Sequence, residues 1–364
     1  MELLKYTFSM LDDANYCLMR YYLRWVEKAT PLNPPFFGKG RMFHELVEHF
    51  WDRLGTQEEV SRTRKKTGGK RYSNAEEFAN YASGKWMSIV IGAEHSSNPR
   101  SRIDWERDGQ KYAMKEEVRS ISYYLFPYLI ERGKPLYQEI PFDFVLGRRR
   151  FRGRIDGIRV RDEKVVIEDF KTGRPWVGQM KVDHDPQMTM YNVGLGSLCY
   201  VDERFAKSLG LEKQRKNFMG NPFFVSEEIE NEFFMIEAPY FRKKFEERGK
   251  EYLPEVFHKT KRTDSHFYEV LKMLDGAERA LKMGIIYPER GRKCDSCVMK
   301  KACEKKLEDA VREVPEGKHG QTIFRFAAPV FKFTEETNLI LEQTRQMDLF
   351  KKQRKQREHV TAVS

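Results

Sequence analysis

Two carboxylates and an ammonium group stand close together in the middle of the chain. Asp156 lies in Gly153-Arg154-Ile155-Asp156-Gly157-Ile158, and Asp169 precedes Lys171 by two residues in Ile167-Glu168-Asp169-Phe170-Lys171-Thr172-Gly173. Neighbouring carboxylates repel unless a cation sits between them, and hard oxygen ligands select Mg²⁺ or Mn²⁺. Such an ion lowers the pKa of a bound water and stabilises charge building on a phosphate. A lysine beside it can orient that water or neutralise the charge. The residues that must position these groups read as two strands. Phe151 to Val160 alternates apolar and charged residues, Lys164 to Phe170 is rich in Val and Ile, and Arg161-Asp162-Glu163 suits a hairpin turn. Alternation puts Asp169 and Lys171 on one face and Glu168 on the other. An antiparallel hairpin would bring Asp156 near Asp169. The plainer alternative is a hairpin with charges on its solvent face.

Three further elements flank this hairpin: Gly40-Arg41-Met42-Phe43-His44, the strand-like Tyr137-Gln138-Glu139-Ile140, and Gln187-Met188-Thr189-Met190-Tyr191. In this order, over roughly residues 9 to 303, the set resembles the PD-(D/E)XK nuclease superfamily and its RecB-like branch. The resemblance implies an α/β fold: a central mixed β-sheet flanked by helices, the restriction-endonuclease-like core, with a helical N-terminal region. It implies that His44, Asp156, Asp169 and the main-chain carbonyl of Phe170 hold the metal and that Lys171 is the catalytic lysine. Gln187 and Tyr191 would contact the DNA backbone or brace the site; their i, i+4 spacing puts them on one helix face in either case. Glu139 would be a supporting group or an edge-strand charge. The implied activity is hydrolysis of DNA phosphodiester bonds, as an exonuclease on single-stranded ends in recombination, repair or replication. A non-catalytic DNA-binding or recombination-mediator protein is the rival reading, and the complete set of metal residues argues against it.

The five cysteines are Cys17, Cys199, Cys294, Cys297 and Cys303. No signal peptide opens the sequence and no apolar run is long enough to span a bilayer, so a reducing cytoplasm without disulfides is expected. Cys294-x-x-Cys297 with Cys303 supplies three thiolates; a tetrahedral site for zinc or an iron–sulfur cluster needs a fourth. The one-plus-three split resembles an iron–sulfur subgroup of the same family, similar to CRISPR-adaptation and helicase-linked recombination nucleases. Ser9, Leu11, Tyr16, Cys17, Arg20 and Tyr21 match its N-terminal element, and Tyr287-Pro288 to Cys303 its C-terminal one. Leu18 departs from the proline that commonly follows the first cysteine. This resemblance implies a 4Fe-4S cluster on Cys17, Cys294, Cys297 and Cys303, stapling the two ends of the domain. Cys199, after apolar Leu195 and Leu198, is expected in the core.

A net charge of +11 favours a polyanionic partner. Arg62, Arg64, Lys65, Lys66, Lys70 and Arg71 surround Gly68-Gly69, and Arg148, Arg149, Arg150, Arg152 and Arg154 lead into the Asp156 strand, where they would grip phosphates. Trp176, Phe170 and Tyr191 are candidate stacking faces for single-stranded DNA. Residues 9 to 53 read as helical. Residues 74 to 132 form a helical insertion that would arch over the site, and Leu136 to Lys171 supplies three strands. A helix is expected near 185 to 199, a strand from Glu232 to Ala238, and helix again over most of 240 to 284. The expected organisation is a nuclease domain over 1–303 and a C-terminal extension over 304–364. In that extension Gln346-Met347-Asp348-Leu349-Phe350, followed by a basic run, resembles the peptide by which replication and repair proteins bind the bacterial sliding clamp. A bacterial or phage-encoded protein is implied. The alternative for the tail is an amphipathic helix from Glu335 onward.

Overall fold

One mixed sheet carries every strand of the site. The computed structural model describes residues 4–312 except 64–68, 99–100, 147, 174–177, 216–228, 285, 287, 290 and 292–293. Arg64, Lys65, Lys66, Trp176, Tyr287 and the clamp-like peptide Gln346 to Phe350 therefore lie outside the described residues. The strands are β1 (Leu4–Thr7), β2 (Tyr137–Leu146), β3 (Arg149–Arg161), β4 (Lys164–Lys171), β5 (Ile229–Met235) and β6 (Phe257–Thr260). The order β1-β3-β4-β5-β6 is mixed: β1 and β3 are parallel, β3 and β4 antiparallel, β4 and β5 parallel, β5 and β6 antiparallel. Strand β2 pairs antiparallel along the other edge of β3.

The β3–β4 turn narrows to Asp162 and Glu163, both with positive φ (52° and 61°). That is the backbone of a two-residue hairpin whose twist suits its strands. β1 pairs with residues 149–152 of β3 and β4 with 157–161. The intervening stretch, 153–156, has no ladder partner on that edge, and Asp156 sits in this gap.

The N-terminal region is helical as expected: α1 (Phe8–Tyr16), α2 (Leu18–Tyr21), a π-turn (Tyr22–Val26), α3 (Pro35–Glu48), α4 (Phe50–Arg53) and α5 (Gln57–Thr63). Helices α6 (Ala75–Glu94) and α7 (Gln110–Arg132) form an antiparallel pair, tied by Lys111–Glu94 at 2.8 Å at one end and by Arg119–Glu76 toward the other. Phe78, Trp86, Val118 and Leu125 of this pair are fully buried in the same core as Ile155 and Ile167 of the sheet. The pair is thus part of the core. After α8 (Gln179–Asp183) and α9 (Pro186–Val201) come α10 (Glu203–Ser208), α11 (Glu212–Arg215), α12 (Ala238–Glu246), α13 (Asp264–Lys282) and α14 (Lys300–Arg312). Among the described residues no helix is long and apolar enough to cross a membrane.

Three expectations need correction. β5 ends at Met235, and Ala238 opens a helix whose first turn holds Pro239. β6 interrupts the expected helical stretch; four residues are too few to show a period. Arg149 does not face a phosphate: it is buried, 2.6 Å from Asp275 and 2.8 Å from Glu278, and ties β3 to α13. Arg150 and Arg152 both pair with Asp143 at 2.7 Å.

A second ionic knot locks the far end of the hairpin. Arg132 and Arg159 both pair with the fully buried Glu168, Arg159 at 2.6 Å, and Arg132 also pairs with buried Glu232. Removing one partner strands a buried charge, so Arg132→Ala is expected to cost about 3–5 kcal/mol in denaturant unfolding. A loss below about 1 kcal/mol would mean that Glu168 and Glu232 find other partners.

Candidate active site

Two close backbone approaches bring the helices to the strands. A Cβ on Gly40 would stand 2.7 Å from Thr172 Oγ1, so α3 can reach the end of β4 only with glycine there. One turn later His44 faces the carboxylates. On α9, Gly194 lies against the ring of Phe142, where a Cβ would meet it at 2.6 Å. Gly153 of β3 flanks the same ring, with a Cβ approach of 2.3 Å. The helix is thereby drawn onto β2 and β3. Asp185 caps α9 by accepting the Gln187 N–H at 2.8 Å, and Pro186 opens its first turn. Gln187 and Tyr191 project from that helix toward the gap in β3.

Three carboxylates stand across three adjacent strands. Gln138 pairs with Gly157 and Ile140 with Ile155, so Glu139 is opposite Asp156. Gly157 pairs with Glu168, and the next position in that register sets Asp156 opposite Asp169. Like charges directly opposite destabilise a ladder unless neutralised. Glu139 also has φ of 50°, a left-handed backbone rare for a glutamate within a strand. His44, Glu139 and Asp156 each offer a ligand atom, all within 4.8 Å of one another. They line a cleft of about 640 Å³ together with Arg41, Thr172 and Gly173.

A chain of hydrogen bonds encloses the other side. Lys171 Nζ is 2.7 Å from Asp169 Oδ2 and donates to Gln187 Oε1 at 2.5 Å. Gln187 Nε2 donates to the Tyr191 hydroxyl at 2.6 Å, and that hydroxyl donates to Asp156 Oδ1 at 3.0 Å. Asp156 Oδ2 accepts the Phe170 N–H at 2.9 Å and lies 3.5 Å from His44 Nδ1. The expected facing of Asp169 and Lys171 holds, and Glu168 turns instead to Arg132 and Arg159.

The electrostatics suit a divalent cation. Burial pushes both Asp156 and Asp169 up to about 7, with the charge of Glu139 adding to the rise at Asp156 and that of Asp156 to the rise at Asp169. Burial also raises Glu139, with Glu48 adding to it, and holds the His44 imidazole below the usual histidine range. A neutral imidazole keeps a lone pair for a metal. Burial alone would lower Lys171, but Asp169 and Asp185 outweigh it and hold the ammonium above the usual lysine range. Asp169 Oδ1 is buried with no hydrogen-bond donor among the described residues. An orphaned carboxylate oxygen beside a His–Glu–Asp trio fits Mg²⁺ or Mn²⁺, with a nitrogen ligand added to hard oxygens.

The structure thus brings together His44, Glu139, Asp156, Asp169, Lys171, Gln187 and Tyr191, with the Phe170 backbone beside them. Tyr191 is buried and touches Asp156, which makes it a brace. Phe170 and Tyr191 are 4 % and 3 % exposed, so neither offers a stacking face. The place of Glu139 depends on register and on a left-handed backbone. In the sequence, the glycine four residues before His44 is the signal of close helix approach.

The cysteines fall in two places. Cys199 is fully buried in the main core, where burial keeps it a thiol. Cys17, Cys294, Cys297 and Cys303 form no disulfide and line one cavity of about 290 Å³, along with Tyr16, Arg20 and Pro288. No three of their sulfurs lie within 4.8 Å of one another.

Comparison with curated proteins returned no match to this sequence. The family model described as the PD-(D/E)XK nuclease superfamily does match, over residues 5–304. That span takes in β1 to β6 and every side chain of the cleft, and the chain belongs to the PD-(D/E)XK nuclease superfamily.

Proposed function

We propose that the protein is a divalent-metal-dependent deoxyribonuclease of the RecB-like branch, an exonuclease acting on single-stranded DNA ends in recombination, repair or replication. The observation that carries this reading is the closed network from Asp169 through Lys171, Gln187 and Tyr191 to Asp156, set beside the His44–Glu139–Asp156 trio. His44, Glu139, Asp156, Asp169 and the Phe170 carbonyl would hold the ion. When bound, Mg²⁺ or Mn²⁺ supplies a lowered water pKa and charge stabilisation at the phosphate. Lys171, held charged by Asp169 and Asp185 and fixed by Gln187, donates a hydrogen bond to the attacking water or to a phosphate oxygen. Tyr191 keeps Asp156 in place. Water adds to phosphorus, the ester bond to one sugar oxygen breaks, and that oxygen leaves with a proton.

The four thiols around one cavity support a shared centre, proposed as a 4Fe-4S cluster from the one-plus-three split, with zinc as the alternative. We take 1–303 as the nuclease domain and 304–364 as an extension. Its peptide Gln346 to Phe350 is proposed as an anchor for a bacterial sliding clamp, on the sequence alone. A cytoplasmic site of action follows from the same proposal.

The test is degradation of end-labelled single- and double-stranded DNA with Mg²⁺ or Mn²⁺. Metal-dependent laddering of the single strand, stopped by a chelator, is the expected result. A cluster-loaded protein that binds DNA but never cuts it would hand the reading to a DNA-binding or mediator protein.

A further inference from the structure

We infer that Phe36 and Phe37 form a base-stacking platform that admits a single-stranded polynucleotide to the cleft, with Arg41 holding the phosphate between that platform and the ligand trio. The inference deepens the nuclease reading and rests on it. Phe36 and Phe37 are 45 % and 40 % exposed, the only phenylalanines among the large exposed apolar side chains of the described residues. Their ring centroids are 4.7 Å apart, and both rings line the same cavity as His44, Glu139 and Asp156. A ring without a hydroxyl offers water nothing; what it offers a nucleobase is a face, whichever base arrives.

The backbone that carries the rings is held firmly. Pro34 and the buried Pro35 fix the entry to α3, and Phe37 N–H donates to the Pro34 carbonyl at 3.0 Å. Just upstream, Asn33 N–H donates to Asp104 Oδ2 at 2.6 Å, and Asn33 accepts the Asp104 N–H at 2.9 Å. A pinned platform loses little freedom when a base lands on it.

The spacing along α3 sets an order. Arg41 follows Phe37 by one turn, about 6 Å along the axis, and His44 follows by about 4.5 Å more. Arg41 is exposed and pairs with no carboxylate among the described residues. Lys39 differs: it is buried between Glu117 at 2.9 Å and Glu237 at 3.0 Å. Ring, free cation and metal ligand therefore follow one another as base, phosphate and scissile phosphate would. In a duplex the bases are already stacked on each other, and turning one outward carries an unstacking cost. The platform thus selects single strands.

The experiment measures binding of fluorescein-labelled oligo(dT) and of a blunt hairpin duplex by anisotropy, without added divalent metal. Phe36→Ala/Phe37→Ala is expected to weaken oligo(dT) binding about 30-fold and duplex binding less than about twofold. Phe36→Trp/Phe37→Trp should restore it. Arg41→Ala should lower the salt slope by about one on either substrate. On the wild type, 2-aminopurine near the end of the oligonucleotide should be quenched on binding. Oligo(dT) binding unchanged in the double alanine variant, equal loss on both substrates, or no quenching would overturn the platform. An Mn²⁺-induced rise in Tm equal to that of wild type shows that the variant's site is intact. If wild type shows the expected selectivity but never cuts, the nuclease reading fails and the platform stands. If wild type cuts and the phenylalanine variants bind as it does, only the platform fails.

Discussion

Lys171→Ala is expected to lower DNA cleavage by a factor of about 10³, while Mn²⁺ still raises the melting temperature. The reason is a division of labour. Lys171 reaches Asp169 and Gln187 but offers no lone pair in its charged state, so its loss removes charge stabilisation and leaves the His44–Glu139–Asp156 trio intact. Asp156→Asn should remove both the cleavage and the Mn²⁺ shift. Asparagine can still accept from Tyr191 or Phe170, which keeps the fold, but one ligand charge is gone. The same site predicts a pH dependence with a definite sign. Burial raises Asp156 and Asp169 from 3.8 to about 7 in the folded chain. Their protonated forms therefore favour the metal-free fold fully below pH 3.8, and this contribution is lost as pH rises through about 7. Protons and metal compete for the same oxygens. The Mn²⁺-induced rise in Tm should accordingly be larger at pH 8 than at pH 6 in the wild type, and absent at both in Asp156→Asn. Equal shifts at both pH values would mean that these carboxylates are not the ligands. A Lys171→Ala variant that cuts normally would remove the lysine from the chemistry.

Much of this site is legible from residue order because it depends on local rules. A strand's alternation puts Asp169 and Lys171 together and sends Glu168 away. Helical spacing puts Gln187 and Tyr191 on one face, and glycine four residues before His44 marks a helix that must come close to something. What escaped the sequence is long-range. Arg149 looks like a phosphate ligand until Asp275 and Glu278 on α13 claim it, more than a hundred residues later. Helices α6 and α7 look like an insertion by position, yet Trp86 and Ile121 are fully buried in the central core. Glu139 depends on one residue's positive φ, which no pattern of residue types announces. Strands β1 and β6, four residues each, carry no period to read and exist because the sheet supplies partners. Stacking faces obey the same rule: Phe170 and Tyr191 stand near the carboxylates in sequence, but the fold buries both while leaving Phe36 and Phe37 exposed along the cleft.

Cys17→Ser is expected to abolish bound iron and the absorbance near 400 nm, and to destabilise the protein by about 2–5 kcal/mol, by analogy with removal of a native cross-link. Cys17 separates α1 from α2, and the three thiols proposed to join it in the cluster come late in the chain, before and within α14. Tethering these ends removes freedom from the unfolded chain, and loop-closure entropy grows with the length enclosed. Met19, Leu23, Ile286, Val298 and Met299 are among the buried residues of a core that joins these ends, separate from that beneath the sheet. Leu32 N–H also donates to the Val298 carbonyl at 2.8 Å, and Lys306 pairs with Glu27 at 2.6 Å. The proposed cluster would add a cross-link to these contacts between the two ends. Cys199→Ser serves as the contrast, because that thiol is buried far from the cavity lining: iron content should be unchanged, with only a packing loss. Loss of Cys17 with full iron retained and an unchanged unfolding midpoint would remove it from the ligand set. Stoichiometric zinc in a colourless wild-type protein would replace the iron–sulfur assignment and keep the staple.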